Sequence, residues 1–230
     1  MTSLRERAIA EEQMDSLDLS PPVYARILAD LERVNVLTLA SRPTMAFLGR
    51  IARRGQTLKL LDVGFGHGDM LRRVARWCEK RGVACELVGI DLNPRSEAIA
   101  REATPRGMPI TYRTGDYADL AGQGWDAVIS SLVTHHMSPD QLDAFLRFMD
   151  CEAARGWLVN DLHRHRLAHM GFPLMARALR LHRIVREDGT LSVARSFRPH
   201  EWRAMLADAG VEGAQVQRWF PFRLCVCKVR

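Results

Sequence analysis

Two rhythms of apolar and polar residues run along this chain. Short apolar runs, several alternating with polar residues, mark strands at 58–63, 86–91, 110–113, 126–132, 156–160, 215–220 and 223–229. Between them apolar residues recur every three or four positions, the spacing of a helix that buries one stripe. That spacing predicts a helix over 69–81, stopped by Gly82. Asn93-Pro94 supplies an N-cap and a first-turn proline for the next helix. Ser138-Pro139-Asp140-Gln141 is a capping box that opens a helix to about residue 150, and Pro199 starts one that ends at Gly210. Strands and helices that alternate in this way give an α/β fold with a doubly wound, mostly parallel sheet.

The flanks of this pattern are helical. Ser20-Pro21-Pro22 opens a stripe of Val23, Ile27, Leu31, Val34 and Leu37, with Arg26, Asp30 and Glu32 off it. A second helix over 43–53 precedes the first strand. Residues 1–45 thus read as a helical cap on the main domain, 46–230, packing on its core or covering a ligand cleft. Residues 162–186 read as one long basic helix with an apolar stripe of Met170, Leu174, Ala178 and Leu181. Glu187-Asp188-Gly189 reads as a turn and 191–194 as a short strand or loop. The segment 162–198 interrupts the alternation and reads as an inserted lid after the fifth strand.

The chemistry centres on residues 58–70, where a strand runs into Gly64, Gly66 and Gly68 and then into a helix from Asp69. Glycines suit a backbone that takes positive φ or lies against a ligand, and the helix N-terminus offers free N–H groups. A dinucleotide fingerprint would need a third glycine where Asp69 stands. Asp62 and Asp69, flanking the loop, would repel a pyrophosphate and attract a cationic, amine-bearing ligand. Glycines kept merely for packing are the plain alternative. Asp91 ends the second strand about 20 residues past the turn, where a carboxylate can accept ribose hydroxyls; it also reads as a helix-flanking acid. Asp116 follows the third strand, where an acid is also common turn chemistry.

These stretches resemble the motifs of class I S-adenosylmethionine-dependent methyltransferases. Asp62-Val63-Gly64-Phe65-Gly66-His67-Gly68 is similar to the first motif and Gly89-Ile90-Asp91-Leu92-Asn93-Pro94 to the second. The resemblance implies a Rossmann-like seven-stranded sheet whose last strand is antiparallel, with S-adenosyl-L-methionine as cofactor. It implies cofactor contacts from Asp62, Gly64, Phe65, Gly66, Gly68, Asp91, Leu92, Asp116, Tyr117 and Ser131. Asp62 would orient the methionine amino group, Asp91 would hold the ribose, Leu92 would pack on the adenine and Asp116 would hold its amino group. The segments Asn160-Asp161-Leu162-His163-Arg164-His165 and Phe197-Arg198-Pro199-His200-Glu201-Trp202, with Met14-Asp15-Ser16-Leu17-Asp18, look like a bacterial subgroup of small methyltransferases. These are similar to the ubiquinone-biosynthesis type and associated with polyketide pathways. That implies O-methylation of a phenolic or enolic small-molecule acceptor, with C-methylation of a quinone-type ring as the alternative. The Asn-Pro-Pro-Tyr pattern of adenine and glutamine N-methylation is absent after the fourth strand.

Histidines end two strands: His135 and His136 after the fourth, His163 and His165 after the fifth. Methyl transfer needs alignment and exclusion of water, and a phenol benefits from a base. His136 is the first candidate, then His163 and His135, each of which also reads as a hydrogen-bonded structural residue. Asp161, His163, His165 and His169 lack an established metal spacing, so no metal is expected.

Composition narrows the classes further. The net charge is +6, but the basic residues are dispersed arginines, with lysine only at 59, 80 and 228. No basic run interleaves with aromatics, so no nucleic-acid partner is expected. Five cysteines without a C-x-x-C pair argue against a disulfide framework and for a reducing compartment. The charged opening, residues 1–13, carries no apolar signal region, and no stretch approaches a spanning helix. A cytoplasmic protein with at most peripheral membrane contact is expected. The sequence leaves its oligomeric state open.

Overall fold

The computed structural model describes residues 4–16 and 18–230. Residues 1–3 and Leu17, which carry part of the expectations for the opening segment, lie outside that range. A single 3-10 turn, Gln13–Asp15, precedes helices α1 (Pro21–Leu37) and α2 (Arg42–Ile51). The chain then alternates through β1 (Leu58–Val63), α3 (Asp69–Arg81), β2 (Cys85–Asp91), α4 (Pro94–Ala103), β3 (Ile110–Thr114) and β4 (Trp125–Ser131). Helix α5 (Pro139–Glu152), β5 (Ala153–Leu162), α6 (Arg166–Ala178), α7 (Arg183–Arg195), α8 (Pro199–Asp208), β6 (Gln215–Trp219) and β7 (Arg223–Val229) complete it.

Among the described residues, seven strands form one sheet in the order β3-β2-β1-β4-β5-β7-β6. β1 to β5 are parallel to their neighbours, and β7 runs antiparallel between β5 and β6. This is the Rossmann-like sheet the sequence predicts, antiparallel strand included. Its two faces follow from the period-two alternation of side chains. Leu61, Val63 and Val128 pack with Leu142, Phe145 and Leu146 of α5 and Trp202 of α8. Leu58, Leu60, Ala127 and Ile129 face the other way, onto Phe47 and Leu48 of α2 and Leu71 and Val74 of α3. A one-residue slip in β1 would exchange these faces, so the apolar pattern fixes the register.

Local chemistry sets the helix ends. Ser138 Oγ accepts the Gln141 N–H and Gln141 Oε1 accepts the Ser138 N–H, completing the capping box. Asn93 Oδ1 accepts the Arg95 N–H at the start of α4. Gly82, with φ of 63°, ends α3 in the left-handed conformation that glycine adopts without steric cost.

The segment after β5 departs from the sequence reading. The expected long helix is broken at Arg180, whose φ is 52°, into α6 and α7. The expected turn at Glu187-Asp188-Gly189 and the expected strand or loop at 191–194 are both inside α7. The reason is tertiary. Gly189 lets the Phe172 ring of α6 seat against α7, and Asp188 is buried, accepting the backbone N–H groups of Gln13 and Met14. The apolar stripe also splits. Leu181 is buried, with Ile27 and Val34 of α1 in the same apolar cluster, whereas Met170 and Leu174 are exposed. Asp30, off the stripe in the sequence reading, is buried and accepts the His182 N–H at 2.8 Å.

Candidate active site

The strand order reverses between β1 and β4, and ligands of open α/β sheets bind at that point, outside the strands' carboxyl ends. A cleft of about 480 Å³ lies there, walled by the ends of β1, β2 and β4, the glycine turn and α1. Asp62, only 1 % exposed, lies near the end of β1, and among the described residues its Oδ1 has no hydrogen-bond partner. Burial, then the charges of Asp69 and Asp91, push its carboxyl up to about 8. Asp69 and Asp91 are also raised, in each case first by burial. Asp69 and Asp91 thus help to hold Asp62 neutral until a cation arrives.

The glycines answer to steric need. Gly64 has φ of 76°, and a Cβ there would overlap Val133 Cγ2; at Gly68, φ is 75° and a Cβ would overlap the Tyr112 hydroxyl. Phe65 is buried against Tyr112, with ring centroids 4.8 Å apart, and lines the cleft. The turn is locked to β2 because the Gly66 N–H donates to Asp91 Oδ2 at 2.9 Å, while Asp91 Oδ1 accepts the Asn93 N–H. Leu92, 75 % exposed, forms the rim, and Gly115 and Tyr117 lie further along the wall. Ser131 lines the cleft, and its buried Oγ has no partner among the described residues. Asp116 is exposed, is not among the cleft-lining residues, and its Oδ1 accepts the Ala118 N–H at 2.9 Å, so its observed bond is turn chemistry.

A second cavity of about 290 Å³ adjoins the first beneath α6 and α7. Its walls are mainly apolar, including Leu162, Leu167, Phe172, Met175 and Val193. Met14, Leu31, Asn35, Leu132, His136 and Arg223 line both cavities. His136 therefore stands at the junction. Its Nδ1–H donates to Asp15 Oδ2 at 3.0 Å, which leaves Nε2 as the ring's acceptor. Burial tends to raise the Asp15 carboxyl, but the hydrogen bond from His136 holds it below its ordinary value.

His135 is buried and does different work. Its Nδ1–H donates to Asp161 Oδ1 at 2.8 Å, and Glu12 Oε1 lies 3.6 Å from Nε2. Burial alone would depress this imidazole, but Asp161 and Glu12 override it and raise it to about 9. Asp161 is fully buried, yet His135 and Thr134 bring its carboxyl down to about 2. The Arg7 and Arg195 guanidiniums both donate to the single backbone oxygen of His135 and so tie it to the same centre. Glu12, His135 and His136 each bring one ligand-type atom within 4.8 Å of the others. Glu12 also accepts the Ser192 hydroxyl, and Arg195 stands 4.0 Å away, so the cluster is already charge-matched as a proton network.

His163 lines neither cavity. It bridges to Phe197, and burial, then Arg218 and the further neighbours His165, Arg198 and Arg164, lower it to about 4. Among the described residues, the sequence's set of Asp161, His163, His165 and His169 does not converge as a metal site. Sequence reasoning missed Glu12, Asp15, Asn35 and Arg223. The one available signal was Arg223 itself, a charge opening the apolar run Leu224–Cys227.

Residues 60–151 match the family model for a methyltransferase domain. This part of the chain carries a methyltransferase domain. The solved magnesium protoporphyrin IX methyltransferase of Synechocystis PCC 6803, with bound S-adenosylhomocysteine, superposes with a TM-score of 0.57 at 18 % identity. The match covers 95 % of this chain and 91 % of that one. Human N-acetylserotonin methyltransferase in complex with S-adenosylmethionine gives 0.63 at 16 % identity, over 92 % of this chain and 56 % of that one. At such identities the likeness is one of fold. The ribosomal RNA large subunit methyltransferase E of Desulforapulum autotrophicum is 32 % identical over 111 residues, 46 % of this chain. The match spans about half, 53 %, of that relative's length.

The methyltransferase cleft suits S-adenosylmethionine on its own chemistry. The unpartnered Asp62 Oδ1 and its acidic neighbours match the ammonium and sulfonium charges, and the pinned Asp91 carboxylate keeps lone pairs for hydroxyl donors. Among the described residues of this methyltransferase, no helix is long and apolar enough to cross a membrane.

Proposed function

We propose that this chain transfers a methyl group from S-adenosylmethionine to the oxygen of a phenolic or enolic hydroxyl on a small, largely apolar acceptor. One observation carries the reading: His136 stands where the acidic cofactor cleft meets the apolar second cavity. Asp62, the glycine turn, Asp91, Leu92, Tyr117 and Ser131 would hold the cofactor, which supplies an electrophilic methyl group when bound. The apolar walls seat the acceptor and exclude water. His136 Nε2 takes the hydroxyl proton, and Asp15 holds the ring in the required tautomer. Glu12, 3.8 Å from Nε2, stabilises the imidazolium that results. An RNA acceptor, the kind named for the curated relative, finds less support in a cavity of about 290 Å³ with mainly apolar walls.

The test is a screen of phenols and enols with purified protein, followed by His136→Gln. The expected outcome is a loss of about 100-fold in kcat with S-adenosylhomocysteine affinity within about threefold of wild type. Full turnover in the variant would remove the base from this reading. Methyl groups recovered only on ring carbon would replace O-methylation with C-methylation.

A further inference from the structure

Arg223 opens β7, opposite Leu162 of β5. It is 2 % exposed and lines both cavities. Among the described residues its Nε and Nη1 have no hydrogen-bond partner. Nη2 has two long contacts, 3.4 Å each, to the neutral atoms Asn35 Oδ1 and Thr38 Oγ1. A guanidinium removed from water without a carboxylate beside it is costly, and mutations that leave a buried charge in this state are strongly destabilising. Nearby acids do not relieve it. Asp161, the nearest in electrostatic effect, is committed to His135, Thr134 and the Leu162 N–H. Burial accordingly dominates and lowers the Arg223 guanidinium from its ordinary value.

We propose that Arg223 binds an anionic group of the acceptor, most simply a carboxylate, and so selects acidic members of the phenol or enol class. The inference deepens the function proposed above and rests on it. Three observations put the anion on the acceptor rather than on the cofactor. Thr38, which touches Nη2, lines the second cavity and not the first, as do the neighbours Pro221 and Phe222. The cofactor cleft already carries the acids Asp62, Asp69 and Asp91, a setting for cations. The second cavity is mainly apolar; its other ionisable lining groups, Glu12, His135 and His136, are already paired with one another or with Asp161 and Asp15, which leaves Arg223 as its unpaired charge among the described residues. His136 and Arg223 share the junction, which gives the acceptor two fixed points: a hydroxyl at the base and an anion at the guanidinium. Arginine suits a carboxylate because its planar fork matches the two oxygens.

The experiment uses the full chain saturated with S-adenosylhomocysteine. Hydroxylated benzoates, cinnamates and naphthoates, each beside its own carboxamide, are titrated by calorimetry. At least one carboxylate is expected to bind about tenfold or more tightly than its amide. Arg223→Met should abolish the preference and leave S-adenosylhomocysteine affinity within threefold. Because Met removes an unpaired buried charge, the variant should melt no lower than wild type. Asn35→Asp provides an independent check: it supplies an internal carboxylate to the retained guanidinium and should erase the preference in the same way. Absence of any carboxylate preference across the set overturns the proposal. So does a tenfold loss of S-adenosylhomocysteine affinity in Arg223→Met, which assigns the guanidinium to the cofactor's own carboxylate. Failure of wild type to bind S-adenosylhomocysteine at all strikes the methyltransferase function instead, so the two failures are distinguishable.

Discussion

At the scale of single residues, the site is governed by charges held out of water. Asp62 is the clearest case. Its folded pKa of about 8 lies above the ordinary value near 4, so its contribution to stability is full below about pH 4 and is lost as pH rises through about 8. A cationic ligand favours the ionised form, so cofactor binding at pH 7 should release a proton and tighten as pH rises towards 8. Calorimetry of S-adenosylhomocysteine binding in two buffers of different ionisation heat should show this as a buffer-dependent enthalpy. Asp62→Asn should remove that dependence and weaken binding at least about tenfold. It should also stabilise the ligand-free protein at pH 7, by about 2 kcal/mol in a denaturant titration. An unchanged binding enthalpy across buffers in wild type would mean Asp62 is already ionised. Asp62, Asp91 and the three glycines were legible in the sequence, because each acts through its place on a strand end or through its own φ angle.

At the scale of elements, the ends of β4 and β5 are joined by the His135–Asp161 pair. His135 is raised to about 9, so its contribution is full below about pH 6.5 and is lost between there and about 9. Asp161 is lowered to about 2, so its share is present above about pH 4 and lost as pH falls towards 2. These are two views of one interaction and do not add. Asp161→Asn should destabilise the fold by about 3 kcal/mol at pH 6 and less at pH 9, read from urea midpoints at the two pH values. Equal destabilisation at both would assign Asp161 a purely steric role. Helices α6 and α7 offer a second test. A Cβ at Gly189 would overlap the far edge of the Phe172 ring, and both residues line the second cavity. Gly189→Ala should turn Phe172 into that cavity, raising the acceptor KM about tenfold while stability changes by less than about 1 kcal/mol. The double variant with Phe172→Ala should restore the KM. The break between these helices escaped the sequence reading because apolar periodicity continues across Arg180, and a single left-handed residue leaves no mark in such a pattern.

At the scale of the whole molecule, segments far apart in sequence meet over one site. Glu12, Met14 and Asp15 reach the cavities because Asp188 of α7 holds the backbone of Gln13 and Met14. Ligand binding should therefore brace the entire assembly. S-adenosylhomocysteine at one hundred times its Kd should stabilise the chain by about 2.7 kcal/mol and raise Tm by about 5–10 °C, a gain lost on dialysis. Hydrogen exchange should slow at residues 10–16 as well as at the glycine turn. Slowing confined to the turn would mean the opening segment does not sense the cofactor.

The sequence by itself determined the sheet, the order of its strands, the cofactor class and the carboxylates that line the cleft, Asp62 and Asp91. Those features follow from short-range rules: apolar period, capping chemistry, and the need for glycine at positive φ. Tertiary structure alone decided that His136 rather than His163 faces the cleft, that His135 is locked to Asp161, and that Asp15 and Arg223 complete the site. Asp15 lies 121 positions from the histidine it orients, and Arg223 lies 188 from the asparagine it touches. No local pattern encodes such separations; they are set when the sheet brings the ends of β4, β5 and β7 together beneath α1, α6 and α7.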